Sequence, residues 1–211
     1  MADEASEPTV RLTRRGVAKR ATIVQAAAEL MYVNGVAATN LDEVLRATST
    51  SKSQFYRHFA NKADLVHAVI AFRAQEILAK QTARLHDLDS FRGLQRWAEA
   101  FVQRSVLRRG VGGCELGSLS AELADTDEYS RSRLAYHFSQ WMSLLADAFD
   151  RMRARGDLRS DVDSTRLAVA VMAAIQGGYL LAQNAHDSAP MEIAIAMALD
   201  HVRSHAPETP D

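Results

Sequence analysis

The sequence is poor in the features that mark an enzyme or a secreted scaffold. Its single cysteine, Cys114, rules out an internal disulfide framework and suits a reducing cytoplasm. There is no glycine-rich phosphate loop, no Gly-x-Ser-x-Gly elbow, no paired cysteine and no His-Glu-x-x-His run, and the seven histidines are scattered. Neither an alternating strand pattern nor an internal repeat is present. The start, Met-Ala-Asp-Glu-Ala-Ser-Glu-Pro, is acidic and lacks the apolar core of a signal peptide. The most apolar stretch, Leu167 to Ala182, is too short and too interrupted by Gln176, Gly177 and Gly178 for a membrane span. No metal, cofactor or membrane partner is therefore expected. An enzymatic reading has to imagine Cys114 with His137 as nucleophile and base, and nothing in the sequence fixes their proximity.

The overall charge of −1 is equally unpromising for a nucleic-acid protein until its distribution is followed. Between Val10 and Lys62 stand nine cations (Arg11, Arg14, Arg15, Lys19, Arg20, Arg46, Lys52, Arg57 and Lys62) against Glu29, Asp42 and Glu43. One end of the molecule is thus suited to phosphates and the other is not. Arg11, Arg14 and Arg15 precede the first helix and suit a minor groove or a DNA backbone; equally they form a free basic arm.

Within the basic end, local chemistry predicts two short helices and a turn. Asn40 is a good N-cap with Glu43 three residues later, so a helix starts at Leu41, and Leu41, Val44 and Leu45 share a face. Thr48-Ser49-Thr50 breaks the pattern. Ser51 caps a second helix with Phe55 and Phe59 on its inner side. Lys52, Ser53, Gln54, Tyr56, Arg57 and His58 are left on the other faces. In a major groove Lys52 would pair with guanine acceptors and Gln54 with adenine, while Tyr56, His58 and Lys62 suit phosphate oxygens. The competing interpretation is an ordinary helical hairpin with a solvated face.

Residues from about Lys19 to Ile70 resemble the N-terminal domain of the TetR family of bacterial transcriptional regulators. The resemblance rests on a first helix from Ala21 to Val33, on Gly35 and Thr39, and on Ser51, Lys52, Phe55, Tyr56, His58, Phe59 and Lys62 at the family's spacing. The family's small residue after Ser-Lys is Ser53. Where the family commonly has Gly-Val in the turn, this chain has Ser49-Thr50, so a serine is expected at positive φ with modest strain.

The remainder reads as helix almost throughout. Asn61 opens a long helix running to His86, and Ser90 caps the next, with Leu94, Trp97, Ala98, Phe101 and Val102 on one face. Arg109-Gly110-Val111-Gly112-Gly113 reads as a flexible loop. A short helix from about Ser118 to Ala124 follows, and Asp127 or Glu128 starts a long amphipathic helix. A helix as apolar as Leu167 to Ala182 must be covered on several sides, partly by the helix containing Ile193 and Met197. A two-fold dimer through these last two helices is inferred, packed as a four-helix bundle, which the resemblance also implies.

The expected fold is all-α. It comprises a basic arm (1–15, disordered), a three-helix helix-turn-helix DNA-binding domain (16–60), a helical ligand-binding and dimerisation domain (61–206) and a tail (207–211). Trp97, Phe101, Phe138, Trp141, Met142, Met172, Gln176 and Tyr179 are candidates for a ligand pocket, or equally for a plain core. Thr39, Asn40 and Ser51 join the candidate DNA contacts. The functional expectation is a sequence-specific regulator that holds a near-palindromic operator in double-stranded DNA and is released by an apolar or amphipathic inducer. Two alternatives remain: a redox- or electrophile-sensing repressor using Cys114, whose place near a helix start can lower a thiol pKa, and a ligand-free architectural DNA-binding protein.

Overall fold

A computed structural model describes residues 13–208, and among these the regular structure is helical, with no strand. The first three helices are α1 (Arg14–Asn34), α2 (Leu41–Ala47) and α3 (Lys52–Phe55). Six more follow: α4 (Lys62–Leu85), α5 (Phe91–Leu107), α6 (Glu115–Leu123), α7 (Glu128–Ala154), α8 (Ser164–Ala185) and α9 (Ala189–Arg203). Arg14 and Arg15, placed in the arm on sequence grounds, form the first turn of α1, whose cap is Thr13. The rest of that arm, with Arg11, and the last three residues of the tail lie outside the described residues.

Most helix starts are explained by their caps. Asn40 accepts from the Glu43 amide at 2.8 Å while Glu43 reaches back to the Asn40 amide, completing the expected box. Ser51 and Gln54 form a second reciprocal box at the start of α3. Asn61, Ser90, Asp127 and Asp163 cap α4, α5, α7 and α8 through their side chains. At the end of α1, Gly35 has φ +85 and donates its amide to the Met31 carbonyl, a conformation that would strain any side chain.

Three packed units place the site. The α1–α3 unit closes over Phe55 and Phe59, both buried, with ring centroids 5.2 Å apart. Arg20 sits 4.9 Å above the Phe59 ring, and the Lys19 ammonium donates to the Thr48 carbonyl at 2.8 Å, fixing α1 to the turn. The second unit, α4 with α7, carries the connection into the larger domain. Arg151 of α7 donates to the Leu85 and Leu88 carbonyls at the end of α4, supplying a cation where the helix dipole is negative. In the third, α8 and α9 form an antiparallel hairpin lying on α7 and α5.

The most apolar helix is longer than its sequence pattern suggests. By length and composition Ser164–Ala185 could cross a membrane. It carries Leu167, Ala168, Val171, Met172, Ile175 and Tyr179 into the core of this fold. Its outward side leaves Val169, Leu180 and Leu181 exposed, next to Ile193 and Met197 of α9. Ala174 is half-buried against the chain's own core and does not belong to that exposed face.

Candidate nucleic-acid interface and ligand cavity

The turn between α2 and α3 takes the shape expected. Ser49 has φ +48, the Thr50 amide bonds the Leu45 carbonyl at 2.9 Å, and the Thr48 and Thr50 hydroxyls meet at 2.7 Å. The strained position is therefore held from both sides by buried hydrogen bonds. Beyond it, α3 is shorter than the expected helix and ends at Phe55, so Ser53 is presented to solvent from α3 and Tyr56 and Arg57 from the turn that follows.

The other candidate contacts divide by what holds them. Lys52 is exposed and pairs with Asp42 of α2 at 3.1 Å, an ion pair that solvent screens. Asn40, Ser51 and Gln54 are exposed, but their side chains serve as caps. Two assignments require correction. Thr39 is only 1% exposed and donates its hydroxyl to the Gly35 carbonyl at 2.7 Å, so it braces the α1–α2 connection and has no free face for a phosphate. Lys62 donates its ammonium to the Val36 carbonyl at 2.7 Å, closing the start of α4 onto the same connection. The Lys62 bond spans 26 residues, and a motif read along one dimension does not distinguish a tethered lysine from a free one. His58 is half-buried, its ring edge against Phe59, and its Nδ1 is buried without a partner.

The larger domain contains two adjoining cavities. The outer one, about 1120 Å³, lies among α6, α7 and α8 and is lined by Phe138, Met142, Met172, Gln176 and Tyr179 of the expected set. Sequence reasoning missed the α6 wall, namely Gly113, Cys114, Gly117 and Ala121, along with Val169 and Leu180 on the exposed side of α8. Small residues at a helix surface give no apolar signal, so nothing short of packing could have found them. The inner cavity, about 260 Å³, is lined by Phe101 and Trp141 together with Arg73, Arg104 and Glu115. Trp97 lines neither cavity. It is core, with its indole N–H donated to Gln81 at 2.9 Å.

The glycine run expected as a flexible loop is a packed seam. The Tyr32 hydroxyl of α1 donates to the Gly113 carbonyl at 3.0 Å, and a Cβ added at Gly112 would stand 2.5 Å from that hydroxyl. Near the far end of α6, Glu122 accepts the Val36 amide at 2.7 Å. On α4, Arg73 bonds Glu29 of α1 at 2.7 Å, and His67 approaches Asp127 at 3.3 Å. Residues bordering the cavities are thereby bonded to the helix-turn-helix unit.

Burial bears on the readings of Cys114. It stands at the N-cap position of α6, but burial pushes its thiol up, opposite to what a reactive thiolate needs. Burial alone would also raise Glu115, yet the Arg104 guanidinium, 2.7 Å away, outweighs it and holds the carboxyl below its ordinary range. Burial raises the Tyr179 phenol, so it stays a neutral donor. His137 bonds Gln140 at 3.1 Å, with no hydrogen bond to Cys114. One histidine pair does stand at metal-ligand spacing, His201 and His205 at the end of α9, with ring centroids 5.0 Å apart. Among the described residues, however, no cluster of three or more ligating side chains accompanies it.

Comparison with known proteins agrees with this architecture. Residues 23–69 match the family model of bacterial regulatory proteins of the tetR family, and residues 91–198 match that of the tetracyclin repressor-like C-terminal domain. The chain belongs to the TetR family. It is 29% identical over 167 residues to the transcriptional regulator AcuR of Cereibacter sphaeroides, covering 77% of this chain and 75% of that one. It is 22% identical to the transcriptional repressor DhaR of a Mycobacterium species, covering 82% and 86%. Among solved structures, a TetR regulator from Chloroflexus aurantiacus superposes with a TM-score of 0.78 at 25% identity, over 90% of this chain and 96% of that one. The regulatory protein TetR from Rhodobacter sphaeroides gives 0.77 at 24%, over 87% and 98%. This member of the TetR family is a DNA-binding transcriptional regulator, and the family is regulatory rather than enzymatic.

Proposed function

We propose that this protein is a cytoplasmic, homodimeric repressor that releases a near-palindromic operator when an apolar or amphipathic small molecule enters the cavity beside α6. The observation that carries the reading is the seam. Gly113 borders the cavity, and its carbonyl accepts the hydroxyl of Tyr32 in α1, so filling the cavity and holding the DNA-binding unit draw on the same contacts.

In the DNA complex, Ser53 of α3 and Tyr56 and Arg57 of the turn after it supply direct contacts, joined by Lys52 once phosphate or guanine displaces Asp42. The capping side chains of Asn40, Ser51 and Gln54 aim the helix. His58, Thr39 and Lys62 act as supports behind it. Two copies joined through the exposed faces of α8 and α9 set two reading helices about one turn of B-DNA apart. Because Val169 and Leu180 belong both to that exposed face and to the cavity wall, a second copy would narrow the cavity's opening.

Release follows from differential affinity. A ligand that binds better when the α1–α6 seam is open shifts the population toward the form whose reading helices no longer match the groove spacing. A coupling of about 1–3 kcal/mol changes operator affinity roughly 5- to 150-fold. The decisive measurement is fluorescence anisotropy on duplexes from the region upstream of the protein's own gene and on scrambled duplexes, across a salt series. Affinity for one near-palindrome at least about 100-fold above scrambled DNA supports the reading. Equal affinities, with salt dependence alone, would favour the architectural alternative.

A further inference from the structure

The inner chamber specifies the chemistry of the effector, an inference that rests on the ligand-responsive reading above. Four cations (Arg73, Lys80, Arg84 and Arg104) and two carboxylates (Glu76 and Glu115) line it. Both carboxylates are already engaged, Glu76 with Arg73 at 2.9 Å and Glu115 with Arg104 at 2.7 Å. Lys80 and Arg84, exposed at the rim, form no ion pair among the described residues. Three donors on the chamber's side chains, Arg73 Nε, Arg104 Nε and Trp141 Nε1, have no acceptor. Trp141 is 2% exposed and Arg73 9%, so water does not readily substitute. A buried donor left unmade is unfavourable, and a set of them beside surplus cations is complementary to an anion that accepts several hydrogen bonds.

We propose that this chamber takes the carboxylate head of an amphipathic effector, with the apolar tail passing Cys114 and Tyr179 into the larger cavity. Those two residues line both spaces, so only their side chains stand between the chamber and the larger cavity. A planar carboxylate matches the fork of a guanidinium, and its single charge fits a chamber whose fixed carboxylates have already neutralised part of the cationic excess.

The same geometry supplies a trigger. Arg73 is held from outside the chamber by Glu29 of α1, Nη2 to Oε1 at 2.7 Å. A carboxylate arriving inside competes with Glu29 for that guanidinium, and whatever it gains loosens the bond between α4 and the DNA-binding unit. By linkage, Glu29 must weaken effector binding as much as the effector weakens the bond to Glu29.

The test uses the full-length protein with octanoate and 1-octanol as probes, reading tryptophan fluorescence for binding and anisotropy on the operator duplex for release. Octanoate is expected to bind about tenfold tighter than octanol. Lys80→Gln combined with Arg84→Gln, both on the exposed rim, should reduce that preference several-fold, the buried Arg73, Arg104 and Trp141 donors keeping the remainder. Glu29→Gln should tighten octanoate binding several-fold. Equal binding of the two probes, binding of neither, or a preference undiminished in the double variant overturns the anion chamber. Preferential octanoate binding with DNA still held at every concentration would keep the chamber and remove the release reading. Release by both probes at equal affinity would do the reverse.

Discussion

In the α2–α3 hairpin the polar side chains find their partners almost next door. Asn40 with Glu43 and Ser51 with Gln54 are each three residues apart. In the seam between α1 and α6 the partners are 81 residues apart for Tyr32 and Gly113, and 86 for Val36 and Glu122. Local bonds form with the helices themselves and survive small shifts of the rest of the fold. Long-range bonds exist only while two units keep one relative placement, so they are the ones a ligand can switch. The α2–α3 hairpin is therefore a preformed part, and what can shift is its attachment.

The sharpest way to break this comparison is to remove the keel of the preformed part. Phe55→Ala deletes a fully buried ring and is expected to lower stability by about 3–5 kcal/mol in urea denaturation, with loss of operator binding. A loss under about 1 kcal/mol would mean that the aromatic pair does not hold the hairpin. Next in size, Leu181→Arg with Met197→Arg places charge on the exposed face of α8 and α9. Sedimentation should show the dimer dissociation constant raised about 100-fold or more, while an unchanged dimer would move the interface elsewhere.

Two substitutions separate contact from support. Lys62→Ala, which removes a tether to the Val36 carbonyl, should cost about 1 kcal/mol of stability and leave the salt slope of DNA binding as it was. Arg57→Ala should do the opposite, flattening that slope by about one unit with stability intact. If the Lys62 variant flattens the slope instead, the ammonium leaves its carbonyl for a phosphate on binding. The smallest effect is expected at the seam itself. Tyr32→Phe loses the hydrogen bond to the Gly113 carbonyl and an exposed one accepted from Arg108, together about 0.5–1.5 kcal/mol, and should lessen ligand-induced release more than ligand-free operator affinity, as paired anisotropy titrations would show.

The aromatic stripe of the second domain shows where sequence reading stops. Trp97, Phe101, Trp141 and Tyr179 are all interior side chains with apolar neighbours, and periodicity treats them alike. Only packing separates Trp97, sealed against Gln81, from Trp141, whose indole N–H meets no acceptor beside a cationic chamber. Arg73 and Arg104 carried no signal at all, because a charged residue on a helix ordinarily reads as solvated surface. The α6 wall was silent for a related reason: glycine and alanine leave space, and space has no composition.

By itself the sequence determined the helices, their caps, the positive-φ serine in the turn and the aromatic pair beneath the reading face. Each of these depends on residues within about one helical turn of one another, where the chain has few alternatives. The tertiary structure decided which polar groups were already occupied. It assigned Thr39 and Lys62 to backbone carbonyls of the α1–α2 connection, buried the Cys114 thiol and gathered four cations from α4 and α5 around one chamber. Apart from the Thr39 bond, whose acceptor stands four residues away, those outcomes depend on the relative placement of helices dozens of residues apart, and only the summed burial of the whole core sets that placement.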